Sequence, residues 1–328
     1  MNNPRIVAGV DGGGTNTRVV LVTEDGAVLG TGVAGPSNYD DVGVDAARES
    51  IQHALHEAWL EAGEPPRSCD AVFLGMAGVV SEIDRTTICK IAVELRMAPP
   101  RQIGVDHDIR ISLAGSLAGE EGITLIVGTG SSCYGRRVNG REWRAGGWGH
   151  LLDDVGSGYY LGLQAMIAAV RDTDGRGLPT ALSQCVLAHL KLTDTQDIMR
   201  RLYHDGMSRA EIAALAPLMI EVAVTGDEVA REIIAQGVDE LALMVKTVAE
   251  KLEFPPDKIL VSVTGGVAHS GPIYKEPLYA AIRRRVPTVQ IVEPKLSPVL
   301  GAALLALESL GIKPTINLIG LLQRGGRQ

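Results

Sequence analysis

An acidic residue followed by a glycine-rich turn lies near the start of the chain, in the stretch GVDGGGTNTRVVLV at residues 9–22. Asp11 precedes the glycines, and Thr15 follows them. Glycines let the backbone approach an anion closely, and successive N–H groups in such a turn can bind phosphate oxygens. The carboxylate could hold the water shell of Mg²⁺, which uses few protein oxygens. A plain glycine-rich hairpin with a surface acid would contain the same residues, so both interpretations stand.

Two further small-residue turns follow apolar runs later in the chain. Residues 128–132 read GTGSS after the run 123–127, and Thr264, Gly265 and Gly266 follow the run 259–263. GTG strings are common in tight turns, so one of them would be weak evidence. The first two turns occupy matching places in two halves, which favours a pair of phosphate contacts, and the third has room for a base or a ribose. Together the three turns predict three contacts to one nucleotide.

Asp108 is the candidate for the base that a phosphoryl transfer needs beside its acceptor hydroxyl. It follows a predicted strand at residues 102–105, directly before the second half of the chain begins. His107 could orient a neighbouring group, although a histidine with an ordinary local hydrogen bond is the simpler interpretation.

A second group of polar and aromatic residues follows the GTGSS turn. Residues 146–150 read GGWGH, and Asp153 and Asp154 come shortly afterwards. Carboxylates and amides bind sugar hydroxyls, and an aromatic side chain can form one wall of a sugar pocket. Asn38, in the segment PSNY, could supply an amide from the other half. The same spacing would equally suit a tryptophan in the core and two solvated acids, so both interpretations remain.

The hydrophobic pattern predicts an α/β chain built from two similar halves. The first half reads β-β-β-α-β-α-β, and the second opens with the same strand, glycine turn, strand and hairpin. We expect one domain at residues 1–115, to which a C-terminal helical segment at about 298–328 returns, and a second at 116–297 with a helical insertion. Two such halves facing each other would create a cleft, where ligands collect.

The predicted elements follow from periodicity and turn residues. Strands are predicted at 6–10, 18–23, 27–32, 71–76, 102–105, 123–127, 133–138 and 259–263. Helices are predicted at 44–62, 83–95 and 299–310. The stretch 158–252 is mostly helical in pattern, with helix starts at Ser208 and Thr225, and Pro255 and Pro256 interrupt the chain after it.

Composition restricts the classes of protein that remain. A net charge of -8 argues against a broad nucleic-acid surface. The four cysteines have no C-x-x-C spacing, so a reduced cytoplasm is the plain interpretation. No apolar run approaches membrane-spanning length. The chain lacks G-x-x-x-x-G-K-[ST], which excludes a P-loop, and its G-x-G-x-x-G at residues 30–35 runs into Pro36 where a helix is required.

The motifs resemble those of the actin-like sugar kinase and ATPase superfamily, whose phosphate and adenosine motifs are similar to GVDGGGTNTRVVLV, LIVGTGSS and VSVTGGVA. Within it, the chain is similar to the N-acetylglucosamine kinase branch of the BadF/BadG/BcrA/BcrD ATPase family. The resemblance also rests on SNYDDVG, VDHDIRISLAG, RAGGWGHLLDDVGSGYYLG and PKLSPVLGAALLAL, and it extends over residues 9–307. It implies an α/β fold with two actin-like, ribonuclease H-like domains that close around ATP, Mg²⁺ and a sugar.

The resemblance also implies a role for each matching residue. Asp108 falls on the base that deprotonates the sugar 6-hydroxyl, and Asp11 lies near Mg²⁺, through water. The implied ATP-binding residues are Asp11, Gly13, Gly14, Thr15, Thr129, Gly130, Gly265 and Gly266. The implied sugar-binding residues are Asn38, Asp108, Ser131, Ser132, Gly147, Trp148, Gly149, His150 and Asp154. The resulting expectation is a cytoplasmic, homodimeric, ATP-dependent hexosamine kinase that acts on a small sugar and has no nucleic-acid or membrane partner.

Departures from the family pattern concern the sugar. The family usually has GDEGSG where this chain has DDVGSG, so Asp153 replaces a glycine and Val155 replaces a glutamate. Ser132 stands where some N-acetylglucosamine kinases have an asparagine. Glucosamine, N-acetylmuramic acid and glucose therefore remain alternative sugars.

Two other classes of function remain open. An ATP-driven activator of acyl-CoA reductases or dehydratases would need cysteines placed to share a cluster across a dimer, and no such motif is evident around Cys69, Cys89, Cys133 or Cys185. A sugar-sensing transcriptional regulator would need an added DNA-binding segment, for which residues 1–5 are expected to leave no room.

Overall fold

The computed structural model describes residues 4–255 and 259–326. Pro256 of the predicted interruption lies outside the described residues. So do residues 1–3 and 327–328 at the ends of the predicted first domain.

The strands of the described chain form two five-stranded sheets. In chain order they are β1 (Ile6–Gly12), β2 (Thr17–Thr23), β3 (Val28–Ala34), β4 (Ala71–Met76), β5 (Ile103–His107), β6 (Gly122–Val127), β7 (Ser131–Arg136), β8 (Glu142–Gly146), β9 (Ile259–Thr264) and β10 (Val289–Val292). The sheet orders are β3-β2-β1-β4-β5 and β10-β9-β6-β7-β8. In each sheet an antiparallel meander of three strands continues into two parallel strands. The second sheet therefore repeats the first, which confirms the two similar halves.

The helices cover the sheets and fill the segments between strands. In chain order they are α1 (Tyr39–Val42), α2 (Val44–Ala62), α3 (Glu82–Glu94), α4 (Asp108–Leu117), α5 (Gly158–Thr173), α6 (Leu182–Leu190), α7 (Asp197–Tyr203), α8 (Arg209–Ala213), α9 (Ala216–Val224), α10 (Glu228–Lys251), α11 (Pro272–Arg285), α12 (Pro298–Ser309) and α13 (Ile316–Gly325). Among the described helices, none has both the length and the apolar character needed to cross a bilayer.

The chain divides into two compact units. The first contains the chain up to Glu121 and again from Glu293, and the second is Gly122–Val292. The sequence placed these boundaries after residues 115 and 297. Within the described residues, helices α5 to α10 stand between β8 and β9, whereas α1 and α2 occupy the equivalent place between β3 and β4.

Helix α12 packs closely in the first unit because the residues at its contacts are small. A Cβ atom on Gly9 of β1 would lie 2.4 Å from the carbonyl oxygen of Val299. At the crossing with α4, a Cβ atom on Gly301 would lie 2.1 Å from the carbonyl oxygen of Ile111. Side chains at these positions would push the helix away from β1 and α4. The small, apolar pattern of residues 299–310 thus reflects backbone-to-backbone packing.

The core of the second unit is formed between its sheet and the long helix α10. Ile234, Val238, Leu241, Val245 and Val248 recur at helical spacing and are all buried. This stripe faces β7 and β8, which lie against the helix. The alternation of three- and four-residue steps is what lets one face of a helix stay apolar while the other carries charges.

Helices α10 and α4 and the C-terminal helices are among those that differ from the sequence-based expectation. Helix α10 begins at Glu228 because Asp227 caps it, accepting from the backbone N of Ala230 at 3.0 Å. The expected start at Thr225 is wrong, since that hydroxyl donates back to the carbonyl of Val222 at 2.8 Å. Helix α4 was not expected because almost every residue in it is buried, which leaves no amphipathic period. The C-terminal helix expected at about 298–328 is divided into two helices, α12 and α13.

Candidate functional site

The first glycine turn joins β1 to β2 and exposes backbone donors. The N–H of Gly13 donates to the carbonyl of Asn16 at 2.9 Å, and the carbonyl of Gly13 accepts from the N–H of Asn38 at 3.2 Å. Gly14 and Thr15 are exposed, and within the described residues their N–H groups donate to no partner. Two adjacent unsatisfied donors form the kind of concavity that binds an anion.

The second glycine turn joins β6 to β7 in the same way. The N–H of Gly128 donates to the carbonyl of Gly130 at 2.9 Å, which closes the turn. The N–H groups of Thr129 and Gly130 have no acceptor in the part of the chain that the structure describes. The N–H of Gly158, at the start of α5, donates to the carbonyl of Gly128 at 2.8 Å and fixes the turn against the helix. The two turns thus occupy equivalent places in the repeated sheets and present equivalent donors.

A pocket of about 550 Å³ opens beside the second turn, within the second unit. Gly128 and Thr129 line one side, Gly266 lies at the third turn, and Ala214 and Glu221 come from the helical insertion. The wall is mainly aliphatic, and Glu221 is the charged residue among those that line it. A flat apolar group fits such a pocket, with anionic groups directed to the turn.

The third turn is shaped by close packing against β6. Gly265 has φ of +100°, and a Cβ atom there would lie 2.3 Å from the carbonyl oxygen of Val127. The following N–H groups of Val267 and Ala268 both donate to that carbonyl, at 3.1 and 3.3 Å. Gly265 is therefore required for the backbone to turn here, and Gly266 forms part of the pocket wall.

Asp11 and Asp108 form a pair of interacting carboxylates in the first unit. Asp11 stands near the end of β1, directly across from Arg18 in the β1–β2 ladder. The pKa of Asp11 is raised to about 6, first by burial and then by the negative charge of Asp108, while Arg18 opposes the shift. Asp108 is the first residue of α4, at the end of the helix where the dipole is positive.

The two residues before Asp108 have local structural partners. The Nδ1 atom of His107 accepts from the backbone N of Arg110 at 3.1 Å and caps α4, which confirms the simpler interpretation of this histidine. Asp106 accepts from Arg85 at 2.8 Å and from the N–H of His107 at 2.9 Å. Asp106 is therefore engaged in an ion pair with Arg85.

Asn38 carries a buried acceptor with no donor among the described residues. Its Nδ2 donates to Oδ2 of Asp41 at 2.6 Å, which fixes the orientation of the amide. The opposite atom, Oδ1, is buried and unpaired within the described chain. Gly78 leaves room for it, since a Cβ atom there would lie 2.3 Å from this oxygen. A buried acceptor without a donor marks a place for a ligand hydroxyl.

Asp154 is buried and supports the second glycine turn. Its side chain is 3% exposed, so the interpretation of a solvated acid is wrong. Oδ1 accepts from the backbone N of Ser131 at 2.9 Å, and Oδ2 accepts from Arg209 at 2.8 Å. The hydroxyl of Ser131 donates to the carbonyl of Val155 at 3.1 Å. The segment around Asp154 and the GTGSS turn are therefore one hydrogen-bonded assembly.

The loop between β8 and Asp154 carries the exposed aromatic residue. Trp148 is 66% exposed, so the interpretation that it lies in the core is wrong. The guanidinium of Arg144 lies 5.3 Å from its ring centroid. His150 packs edge-on against Tyr159 with ring centroids 4.8 Å apart. Burial raises the pKa of Asp153, although backbone N–H groups, Trp148 among them, oppose the shift.

Ser132 and Gly147 lie against each other in the second unit. Ser132 pairs with Gly146 across the β7–β8 ladder. Gly147 has φ of +74°, and a Cβ atom on it would lie 2.7 Å from the Ser132 hydroxyl oxygen. Gly149 closes the loop, since its carbonyl accepts from the N–H of Asp153 at 2.9 Å. The loop residues expected on the sugar side thus share one surface region with the end of the second turn.

The carboxylate pair fits a magnesium ion better than a fully protein-bound metal. Within the described residues, no cluster of three or more histidine, cysteine, aspartate or glutamate side chains is arranged to hold a metal. Mg²⁺ keeps several waters and uses one or two carboxylates together with substrate phosphates. A cation near Asp11 would also relieve the repulsion from Asp108 that raises the Asp11 pKa.

Sequence reasoning missed two polar residues at these sites, Arg209 and Glu221. Both lie in the helical insertion, far along the chain from the glycine turns, and neither belongs to a motif with a recognisable spacing. The capping box of α8 was the available signal, because it places Arg209 at the first position of that helix. Burial raises the pKa of the Cys69 thiol to about 12 and raises that of the Cys133 thiol as well, which opposes ionisation of both.

A sequence model described as the BadF/BadG/BcrA/BcrD ATPase family matches residues 8–306. The N-acetylmuramic acid/N-acetylglucosamine kinase of Clostridium acetobutylicum is 33% identical over 302 residues, covering 92% of this chain and 98% of that protein. The N-acetyl-D-glucosamine kinase of Dictyostelium discoideum is 31% identical over 314 residues, covering 93% and 98%. A glucosamine kinase of Vibrio cholerae is 26% identical, covering 72% and 78%.

Solved structures support the fold. A candidate N-acetylglucosamine kinase from Chromobacterium violaceum has a TM-score of 0.74 and 27% identity, covering 93% of this chain and 99% of that one. A ROK family glucokinase from Streptomyces griseus has a TM-score of 0.58 and 20% identity, covering 93% and 98%. The expected fold class, α/β with two actin-like domains, is confirmed.

Proposed function

The chain belongs to the BadF/BadG/BcrA/BcrD ATPase family, and we propose that it is an ATP-dependent hexosamine kinase acting on the 6-hydroxyl of N-acetylglucosamine. The observation that carries the proposal is the second glycine turn, which borders an aliphatic pocket and presents unpaired N–H groups beside it. An adenine ring suits the apolar wall, and phosphates suit the N–H groups. Relatives that cover nearly the whole chain are named as kinases of amino sugars.

In the proposed site, each glycine turn contacts a part of ATP. Gly13, Gly14 and Thr15 contact phosphates through the donors of the first turn. Thr129 and Gly130 do so through the donors of the second. Gly265 and Gly266 lie beside the adenosine. When bound, Mg²⁺ neutralises charge on the phosphates, and Asp11 holds it through water.

Asp108 is the proposed general base. As the sugar 6-oxygen attacks the γ-phosphorus of ATP, its proton passes to the Asp108 carboxylate. A new oxygen–phosphorus bond forms, and the bond from the γ-phosphorus to the β,γ-bridging oxygen breaks, so that ADP leaves with its electron pair. The position of Asp108 at the start of α4, close enough to Asp11 for the two carboxylates to interact, supports this role because it places Asp108 beside the acid proposed to hold Mg²⁺.

The proposed sugar contacts come from three segments. The unpaired Oδ1 of Asn38 suits a donating sugar hydroxyl, and the exposed ring of Trp148 suits a wall for the apolar face of a pyranose. Asp154 already accepts from Ser131 and Arg209, but a carboxylate can accept further hydrogen bonds. The full proposed set is Asn38, Asp108, Ser131, Ser132, Gly147, Trp148, Gly149, His150 and Asp154.

The sugar is the part of the proposal that an assay decides most directly. Production of ADP should be measured by enzymatic coupling with N-acetylglucosamine, glucosamine, N-acetylmuramic acid and glucose, each with MgATP. N-acetylglucosamine should give the highest kcat/KM, with phosphate on the 6-oxygen by NMR. A higher kcat/KM for one of the other three sugars would change the substrate but keep the kinase. No turnover with any sugar would overturn the proposal.

We propose that the protein acts in the cytoplasm, because ATP is supplied there. The proposed assembly is a homodimer. We expect no nucleic-acid or membrane partner. Light scattering coupled to gel filtration measures the mass of the assembly, and a monomer mass at micromolar concentration would contradict the dimer.

A further inference from the structure

We propose that Arg209 is a phosphate-contacting residue of the nucleotide site, held in place by Asp154; this inference rests on the proposed function. The Nη2 atom of Arg209 donates to Oδ2 of Asp154 at 2.8 Å. The other oxygen of the same carboxylate accepts from the backbone N of Ser131, the first residue of β7. One buried carboxylate therefore links the guanidinium to the GTGSS turn.

The guanidinium lies directly against the backbone of the second turn. A Cβ atom on Gly130 would lie 2.2 Å from Nη2 of Arg209 and 2.6 Å from Oδ1 of Asp154. A side chain at this position would displace the guanidinium from its place against the turn. The N–H of Gly130, proposed to bind phosphate, is part of the same backbone segment.

Arg209 keeps donors available after it has paired with Asp154. A guanidinium has five N–H donors in a planar fork. One nitrogen is used by Asp154, and within the described residues Nε and Nη1 have no acceptor. The side chain is 42% exposed, whereas that of Asp154 is 3% exposed. The acid is therefore buried beneath a cation whose free edge remains accessible to an anion.

The position of α8 relates Arg209 to the pocket. Arg209 begins this helix, and Ala213 and Ala214, at and just after its other end, line the pocket. Asp154 adopts φ of +66°, which is uncommon for a residue other than glycine. Its conformation is fixed by the bonds to Ser131 and Arg209. The ligand class that matches a guanidinium beside unpaired N–H groups is a nucleoside diphosphate or triphosphate.

The test measures binding of ADP and of adenosine to the full chain by titration calorimetry with Mg²⁺. Arg209→Met should weaken ADP binding by about 10- to 100-fold, and adenosine binding should change by less than about threefold, because adenosine has no phosphate. Arg201→Met is the matched control, since Arg201 also lies in the insertion and pairs with Glu211 at 3.0 Å. The control should bind both ligands as the unmodified protein does.

The outcomes separate the inference from the proposed function. If the unmodified protein binds neither ADP nor adenosine, the kinase proposal fails. If it binds both and Arg209→Met leaves the ADP affinity unchanged, or weakens adenosine as much as ADP, the assignment of Arg209 is wrong. Because Arg209→Met leaves a buried carboxylate unpaired, the double variant D154N/R209M is measured as well. It carries no buried charge and should still bind ADP weakly and adenosine normally.

Discussion

The carboxylate of Asp108 raises the pKa of Asp11, although the two residues belong to different elements, one near the end of β1 and the other at the start of α4. Burial is the larger cause, and the net effect is an Asp11 pKa of about 6. The fold thus holds two acids together at a place where neither is fully solvated. Such a pair is costly without a cation and useful with one, which is the basis of the first two predictions.

The first prediction concerns stability and pH. The folded-state pKa of Asp11 exceeds its ordinary value of 3.8, so the group contributes stability that is fully present below pH 3.8 and lost as pH rises through about 6. At pH 7 to 8 without Mg²⁺, ionised Asp11 should therefore cost up to about 3 kcal/mol. Asp11→Asn should raise Tm at pH 7 to 8 in EDTA, and the difference in Tm from the unmodified protein should shrink towards pH 4. The same variant should have a lower Mg²⁺-dependent turnover. A Tm difference that is independent of pH would contradict the assignment.

The second prediction concerns the base. Asp108→Asn should lower kcat by about 10²- to 10⁴-fold, because the 6-hydroxyl loses its proton acceptor. ATP affinity, measured by calorimetry, should be retained. The matched control is Asp106→Asn, which removes an acid held by Arg85, and its kcat should stay within about threefold of the unmodified value. Retained turnover in Asp108→Asn would show that another group acts as base.

The third prediction concerns the nucleotide pocket. Ala214 is exposed and lines the pocket, so Ala214→Leu adds bulk there without disturbing a core. We expect KM for ATP to rise about tenfold, which corresponds to roughly 1.4 kcal/mol, while KM for the sugar is unchanged. Ala210→Leu, in the short helix α8 that ends just before Ala214, is the control, since Ala210 is also exposed. Equal effects from the two substitutions would mean that the pocket does not bind the nucleotide.

The fourth prediction concerns the sugar wall. Trp148→Ala should raise KM for the sugar by up to about tenfold through loss of ring contact, since aromatic contacts contribute about 0.5 to 1.5 kcal/mol. Its Tm should barely change, since the ring is 66% exposed. Trp143 offers a close control, because it is 43% exposed and Lys251 lies 5.2 Å from its ring centroid, much as Arg144 lies beside Trp148. Trp143→Ala should leave the sugar KM unchanged, and parallel losses would remove Trp148 from the sugar site.

Much of the fold could be predicted because local signals and the repeat agreed. Local sequence is enough to predict the strands rich in β-branched residues and the glycine turns after them. It also predicts the apolar face of the helix Val44–Ala62. Helix α4 could not be predicted in this way, since a helix buried on every side has no polar face to mark its period. The start of α10 was misplaced because Thr225 and Asp227 are both suitable capping residues. Which of them caps the helix depends on the backbone conformation, and in the structure it is Asp227.

The sequence by itself determined that three glycine turns follow buried strands and that two of them repeat, because strand pattern and glycine requirement are local properties of the chain. It also singled out Asp11, Asp108 and Trp148 as residues suited to chemistry. Only the tertiary structure decided which groups each acid interacts with. The negative charge of Asp108 raises the pKa of Asp11, and Asp106 forms an ion pair with Arg85. Asp154 is buried and accepts hydrogen bonds from Ser131 and Arg209. The reason is physical, since burial, repulsion and ion pairing depend on distances between residues far apart in the chain, and spacing along the sequence does not set those distances.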